Sequence, residues 1–218
     1  MVSRLVPNTC HSLEFPLSTL KVKNSITNDY ILYICTNNYS VLTLKLIMNT
    51  TATLIKHIIK SRKSIFPADY TSTPIPEEII EDILDIATYA PNHKKTKPWR
   101  LKAFRGEEKT ALGAELQRLY KEHVPAEKFS EDTYNTLAQK VAKADTIISI
   151  AVEFSGKVPQ WEEVAAVAMA VQNMYLLCTA YELGCYWGTP AFAPKLKNFL
   201  HLTDNQECYG IFFIGNLQ

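Results

Sequence analysis

No glycine occurs in the first 105 residues; all seven glycines of the 218-residue chain lie between Gly106 and Gly215. None of them forms a glycine-rich dinucleotide fingerprint, so no Rossmann domain is indicated. The first 47 residues are also poor in charge, with six of the 45 charged side chains. Cysteine is sparse and scattered. Cys10, Cys35, Cys178, Cys185 and Cys208 are odd in number, make no CxxC and pair with no histidine at zinc spacing. That pattern fits a reducing cytoplasm. The five histidines form no HExxH, and no metal is expected. A long apolar run is missing from the N-terminal region. Ile26–Ile47 is broken by Asn28, Asp29, Asn37, Asn38 and Lys45, so it falls short of a bilayer span and lacks the form of a signal peptide. The net charge of +1 argues against a dedicated nucleic-acid binder.

What is present is an ordinary globular composition, 47% hydrophobic and 21% charged, enough to build a core. Residues 1–47 read first as a poorly ordered extension; a packed accessory hairpin and a targeting segment are the other readings, and Met48 could itself be a start. Residues 48–218 read as the folded domain. Leu54, Ile55, Ile58 and Ile59 give an apolar stripe for a helix that begins near Thr51–Thr53 and ends near Arg62. Ile75–Ala90 is helical, entered through Pro74 and Pro76 and stopped by Pro91. Trp99–Phe104 reads as a strand, Glu107–His123 as a helix, and Ser130 as the cap of a further helix. Thr146–Phe154 is a β-branched run with little polar interruption and reads as a central strand. Trp161–Leu183 is apolar nearly all round, so it is expected to be buried in the core or against another subunit, with Gly184 as its C′ residue. Cys185–Trp187 is extended, Pro194–Leu200 a short helix, and Tyr209–Ile214 the last strand. Helices interleaved with few strands indicate an α+β or α/β fold.

Three segments gather polar residues where elements end. Ser61, Arg62, Lys63 and Ser64 offer two cations and two hydroxyls suited to an anion, although cations at a helix C-terminus also complement its dipole. In Ala90–Arg100, two prolines restrain a loop whose Asn92, His93, Thr96 and Lys97 can bond a ligand. A solvated basic connection is the plain alternative, and nucleic-acid binding would need more aromatic support. In Gly184–Pro190, Gly188 permits close backbone approach, and Thr189 can cap the next helix or meet a phosphate. A tight turn is the default for such glycines. Cys178, in an apolar run, reads as a buried inert thiol.

Taken in order, SRKS, then PIPEEIIEDILDIATYAPNHKKTKPWR, the apolar helix with Gln172-Asn173, ELGCYWGTPAF and YGIFFIGN resemble the FMN-dependent nitroreductase family. The likeness is to the small members with a Pro-x-His-Lys box, and covers residues 54–216. It implies an α+β fold, a central mostly antiparallel sheet flanked by helices, and a homodimer with FMN at the interface. It assigns Arg62, Lys63 and Ser64 to the FMN phosphate and pyrimidine edge, Asn92 and His93 to the ring system, and Trp187, Gly188 and Thr189 to the flavin wall. The long apolar helix would form much of the dimer interface, with Gln172 and Asn173 paired across helices. The implied reaction passes a hydride from NAD(P)H through flavin to a nitroaromatic, quinone or similar small acceptor. No catalytic side chain is assigned; His93 is the best candidate for a proton donor, with a flavin contact the favoured reading. Phe66 stands near a position where many members carry another Arg, and Lys97 where Gln or Glu is common. Family chains continue past the strand matching Tyr209–Ile214 with basic residues that hold the phosphate. The end at Gln218 leads us to expect weakened FMN binding or a less stable dimer. The alternative function is a flavin-binding protein of the same fold with little or no turnover; a basic-loop interaction module built on Lys94, Lys95, Lys97 and Arg100 is a third.

Overall fold

The protein was studied as a computed structural model that describes residues 17–20, 32–35 and 40–217, with side chains from Thr50 onward. The chain divides into two compact units, residues 1–57 and 58–218. In the first, strand β1 (Leu17–Leu20) pairs antiparallel with β2 (Leu32–Cys35). The rest of the expectation of poor order for residues 1–47 lies outside the described residues, apart from the start of helix α1 (Ser40–Ser61). That helix therefore begins upstream of the expected Thr51–Thr53 start. Its apolar stripe is uncovered, with Leu54, Ile55 and Ile59 each more than half exposed.

The second unit carries helix α2 (Glu77–Ala87), strand β3 (Trp99–Phe104), helices α3 (Gly106–His123) and α4 (Glu131–Lys143), strand β4 (Thr146–Glu153), helix α5 (Gln160–Ala180), and strands β5 (Gly184–Gly188) and β6 (Gln206–Gly215). The four strands form one sheet in the order β3-β4-β6-β5, every neighbour antiparallel. This is an α+β fold. β4 is central, as its β-branched run predicts, because only a strand covered on both faces can bury successive side chains from Thr146 to Val152. Ile148, Ile150 and Val152 face one layer with Ile80 and Ile83 of α2 and Val167, Val171 and Met174 of α5. Ile147 faces the other, with Leu112, Leu116 and Leu119 of α3, Val141 of α4 and Leu196. Each such side chain, once fully buried, contributes roughly 1.5–3 kcal/mol.

The local signals were met with a few shifts. Ser130 caps α4, its Oγ accepting from the Thr133 N–H at 3.3 Å. α5 ends three residues early, at Ala180, and Gly184 is not its C′ residue. Glu182 takes that left-handed place (φ 57°), with the Leu183 N–H donating to the Cys178 carbonyl at 2.9 Å and the Glu182 N–H to the Thr179 carbonyl at 3.2 Å. Gly184 instead opens β5, where a Cβ would sit 2.5 Å from the Tyr70 ring. The short helix after it is a 3-10 turn, Ala193–Lys197, and no side chain caps it, so Thr189 does not serve as its cap. Asn173 does pair across helices, its Nδ2 donating to the Ile86 carbonyl at 3.2 Å, whereas Gln172 faces solvent.

α5 has the length and composition of a membrane span, but its buried side, Ala166 to Cys178, lies in the core of the sheet domain. Its other side leaves Trp161 69% and Met169 39% exposed.

Candidate active site

The first and third polar segments meet through Tyr175, a nearly buried residue of α5. Its phenol oxygen accepts the backbone N–H of Trp187 at 2.8 Å and lies 3.2 Å from Ser64 Oγ in a hydroxyl–hydroxyl bond. The Arg62 guanidinium stands over the same ring, 5.2 Å from its centroid, a cation–π distance. The ring is held edge-on by Phe212, with centroids 4.9 Å apart. One residue thereby joins the end of α1 to the middle of β5. The Ile65 N–H, donating to the Cys185 carbonyl at 2.9 Å, makes a second tie between the same segments.

Around this junction the chain is shaped for close approach. Gly210 (φ 126°) lies at the register shift between β4 and β6, where a Cβ would meet the Gly188 carbonyl at 2.3 Å and Trp187 Nε1 at 2.9 Å. Trp187 Nε1 is itself buried and has no hydrogen-bond partner among the described residues. Lys63 and Ser64 are exposed beside half-buried Arg62, and Thr189 is exposed after buried Gly188. Phe66 packs on Tyr186 with ring centroids 4.6 Å apart, so it contributes a wall and no charge. Burial pushes the Tyr186 phenol up, keeping it protonated and a donor at neutral pH.

The proline-bracketed loop forms a second cluster. Asn92 folds it inward, its Oδ1 accepting the Lys97 N–H at 3.0 Å while its Nδ2 donates to the Ala90 carbonyl at 3.3 Å. His93 Nδ1–H donates to Glu162 Oε2 at 2.6 Å, at the start of α5. Lys94 Nζ donates to the Lys157 carbonyl at 3.1 Å. Lys94, Lys95 and Lys97 all have left-handed backbones (φ 49°, 53° and 46°), a conformation costing about 1–2 kcal/mol for each such residue. Strain of this kind persists where surrounding structure enforces it. Here the Asn92 turn, the His93–Glu162 pair and buried Trp99 do so. Thr96 Oγ1 is the other buried side-chain atom without a partner among the described residues.

These two clusters are separate within one chain. Glu162 and Tyr175 are thirteen residues apart on α5, about 20 Å at the helical rise. The structure thus brings Arg62, Ser64, Trp187 and Gly188 together and sets Asn92 and His93 elsewhere. Tyr175 and Glu162 were not singled out by sequence, because a tyrosine in an apolar helix and a glutamate in a first turn carry no motif.

The profile of the Nitroreductase family matches residues 59–216. The chain belongs to the nitroreductase family. It is 27% identical over 168 residues to YfhC of Bacillus subtilis (strain 168), named as a candidate NAD(P)H nitroreductase, covering 74% of this chain and 84% of that one. A Nitroreductase-like family protein from Bacillus cereus superposes with a TM-score of 0.64 at 26% identity, covering 75% of this chain and 86% of that one. At the level of fold, the FMN-dependent nitroreductase NfnB from Mycobacterium smegmatis, solved with NADPH, is similar with a TM-score of 0.62 at 15% identity, over 76% and 88% of the two chains.

Proposed function

We propose that this nitroreductase-family chain is a homodimeric FMN-dependent oxidoreductase that carries hydride from NAD(P)H to a nitroaromatic, quinone or similar flat acceptor. The observation that carries the reading is the pair of orphaned polar atoms. Among the described residues Trp187 Nε1 and Thr96 Oγ1 are buried without partners, which natural folds rarely permit, and each lies in one of the two clusters. A polar planar ligand reaching both would satisfy them. Because the clusters lie about 20 Å apart along α5 in one chain, the fitting arrangement sets the loop of one protomer beside the Tyr175 cluster of its partner. The exposed apolar residues Ile59, Trp161 and Met169 of the second unit supply surface for such a pairing.

In this reading Arg62, Lys63 and Ser64 hold the phosphate and the pyrimidine edge, with Tyr175 fixing Arg62 and Ser64 in place. Trp187, Gly188 and Thr189 form the wall, and Asn92 and His93 approach the ring system from the partner. Bound FMN would supply the hydride chemistry, accepting from NAD(P)H and passing on to the acceptor. The chain contributes position, charge and exclusion of water. A fixed guanidinium near the pyrimidine edge favours the more negative, reduced state. His93, hydrogen-bonded to Glu162, can hold a proton near the acceptor. The buried free thiols of Cys178, Cys185 and Cys208 suit a reducing cytoplasm.

The test is a spectrum. Purified protein mixed with FMN and desalted should stay yellow, bleach with NADPH or NADH under anaerobic conditions, and recover its colour on adding a nitroaromatic. Colour that never bleaches would leave a flavin-binding protein without turnover. Protein that emerges colourless would overturn the flavin reading itself.

A further inference from the structure

At the far end of the sheet from the proline-bracketed loop, a cavity of about 310 Å³ opens between Thr71–Thr73, the start of α3 and the end of α4. The sheet register shows the separation. Trp99, next to the loop, pairs with Val152, whereas the cavity adjoins Phe104, which pairs with Ile147, and Thr146, which pairs with Ile214. Arg105, Lys109 and Lys143 line it together with one carboxylate, Asp145. That carboxylate is already engaged. Arg105 donates to Asp145 Oδ1 at 2.9 Å, to Glu77 Oε2 at 2.5 Å and to the Ile75 carbonyl at 2.6 Å. Asp145 Oδ2 also accepts the Ile75 N–H at 3.2 Å, and its Oδ1 accepts the Thr146 hydroxyl at 2.7 Å.

The two lysines are left over. Lys109 is partly buried and, among the described residues, donates only to the Ala144 carbonyl, which carries no formal charge. Burial drives its ammonium below the ordinary lysine range, with Arg105 adding repulsion and Asp145 offsetting part of it. Lys143 is exposed at the rim and has no carboxylate partner among the described residues. The hydroxyls of Ser72 and Thr73 complete the lining, while that of Thr71 is spent on the Asn216 carbonyl at 3.3 Å.

We propose that this recess binds a phosphate group, held by Lys109 and Lys143 with Ser72 and Thr73 donating, at a site apart from the flavin. Lys109 shares the one nearby carboxylate, Asp145, with Arg105, which already bonds it, so the recess keeps an excess of positive charge that a dianion offsets with charge-assisted bonds. Arg105, locked by Glu77 and Asp145, forms the back wall and sets the field. The site does not depend on the flavin reading, since none of its residues belongs to either cluster.

FMN-saturated protein titrated with inorganic phosphate at constant ionic strength tests it, with binding followed by calorimetry and flavin retention by absorbance. Saturable binding is expected with flavin retained. Lys109→Gln should weaken it about tenfold, the worth of one charge-assisted hydrogen bond. Lys143→Gln, at an exposed position that folding tolerates, should weaken it severalfold. Unchanged affinity in Lys143→Gln, flavin released in step with phosphate, or no saturable binding in the millimolar range would each overturn the proposal.

Discussion

Tyr175 carries more of the candidate site than any residue the sequence advertised. Its oxygen is the acceptor for the Trp187 N–H and the neighbour of Ser64 Oγ, and its ring underlies Arg62. Tyr175→Phe keeps the edge-on packing on Phe212 and leaves the Trp187 N–H without its partner. Leaving a donor of this kind unsatisfied costs about 1–3 kcal/mol. The urea midpoint should fall accordingly, and FMN should bind more weakly because Ser64 loses its hydroxyl anchor while Arg62 keeps only the ring beneath it. A variant with unchanged FMN affinity but lowered stability would reduce Tyr175 to a packing residue. Leu at the same position removes both ring and oxygen and should lose more of each. Residue-scale roles of this sort were hidden from sequence because they depend on which side of α5 meets β5, a fact of packing and not of pattern.

At the scale of elements much was legible. The β-branched run of β4, the proline entry to α2 and the Ser130 cap of α4 are local chemistry, and each formed where that chemistry directs. The ends of α5 and β5 were misread for a physical reason. Gly184 looked like a helix terminator, yet the constraint on it is tertiary. The Tyr70 ring occupies the space a Cβ would need, and Gly215 across the strand pair has the same neighbour at 2.2 Å. The helix meanwhile terminates on a glutamate in the left-handed region. The two positions make opposite predictions. Gly184→Ala should destabilise by about 1–3 kcal/mol, as overpacking does. Glu182→Gly should stabilise by up to about 1 kcal/mol, since relief of the left-handed cost exceeds the extra freedom given to the unfolded chain. Denaturant titrations of the two single variants check both signs. If Gly184→Ala proves neutral, the Tyr70 ring can move, and its packing on Gly184 and Gly215 is not rigid.

For the whole molecule, the near-zero net charge concealed an uneven distribution: cations at the end of α1, in the proline-bracketed loop and around the recess beside α3. The sequence could mark the first two as candidates, but it could not show that they stand about 20 Å apart along α5. That distance is what makes the proposed site a property of two copies, and it can be tested without a structure of the dimer. Arg62→Ala should disable the phosphate seat, and Asn92→Ala should unfasten the loop by removing the Oδ1 that holds the Lys97 N–H. If each site takes its Arg62 cluster from one protomer and its loop from the other, a mixed dimer of the two variants has one doubly damaged site and one intact site. Random pairing at equal amounts then restores about a quarter of the wild-type sites, by the symmetry of a two-fold dimer. Each variant alone should be nearly inactive with NAD(P)H and a nitroaromatic, and the co-refolded mixture should regain that fraction of flavin binding and of turnover. A site built within one chain contains its own damaged half in every combination, so no recovery on mixing would exclude the shared arrangement while leaving the chemistry of the Tyr175 cluster untouched.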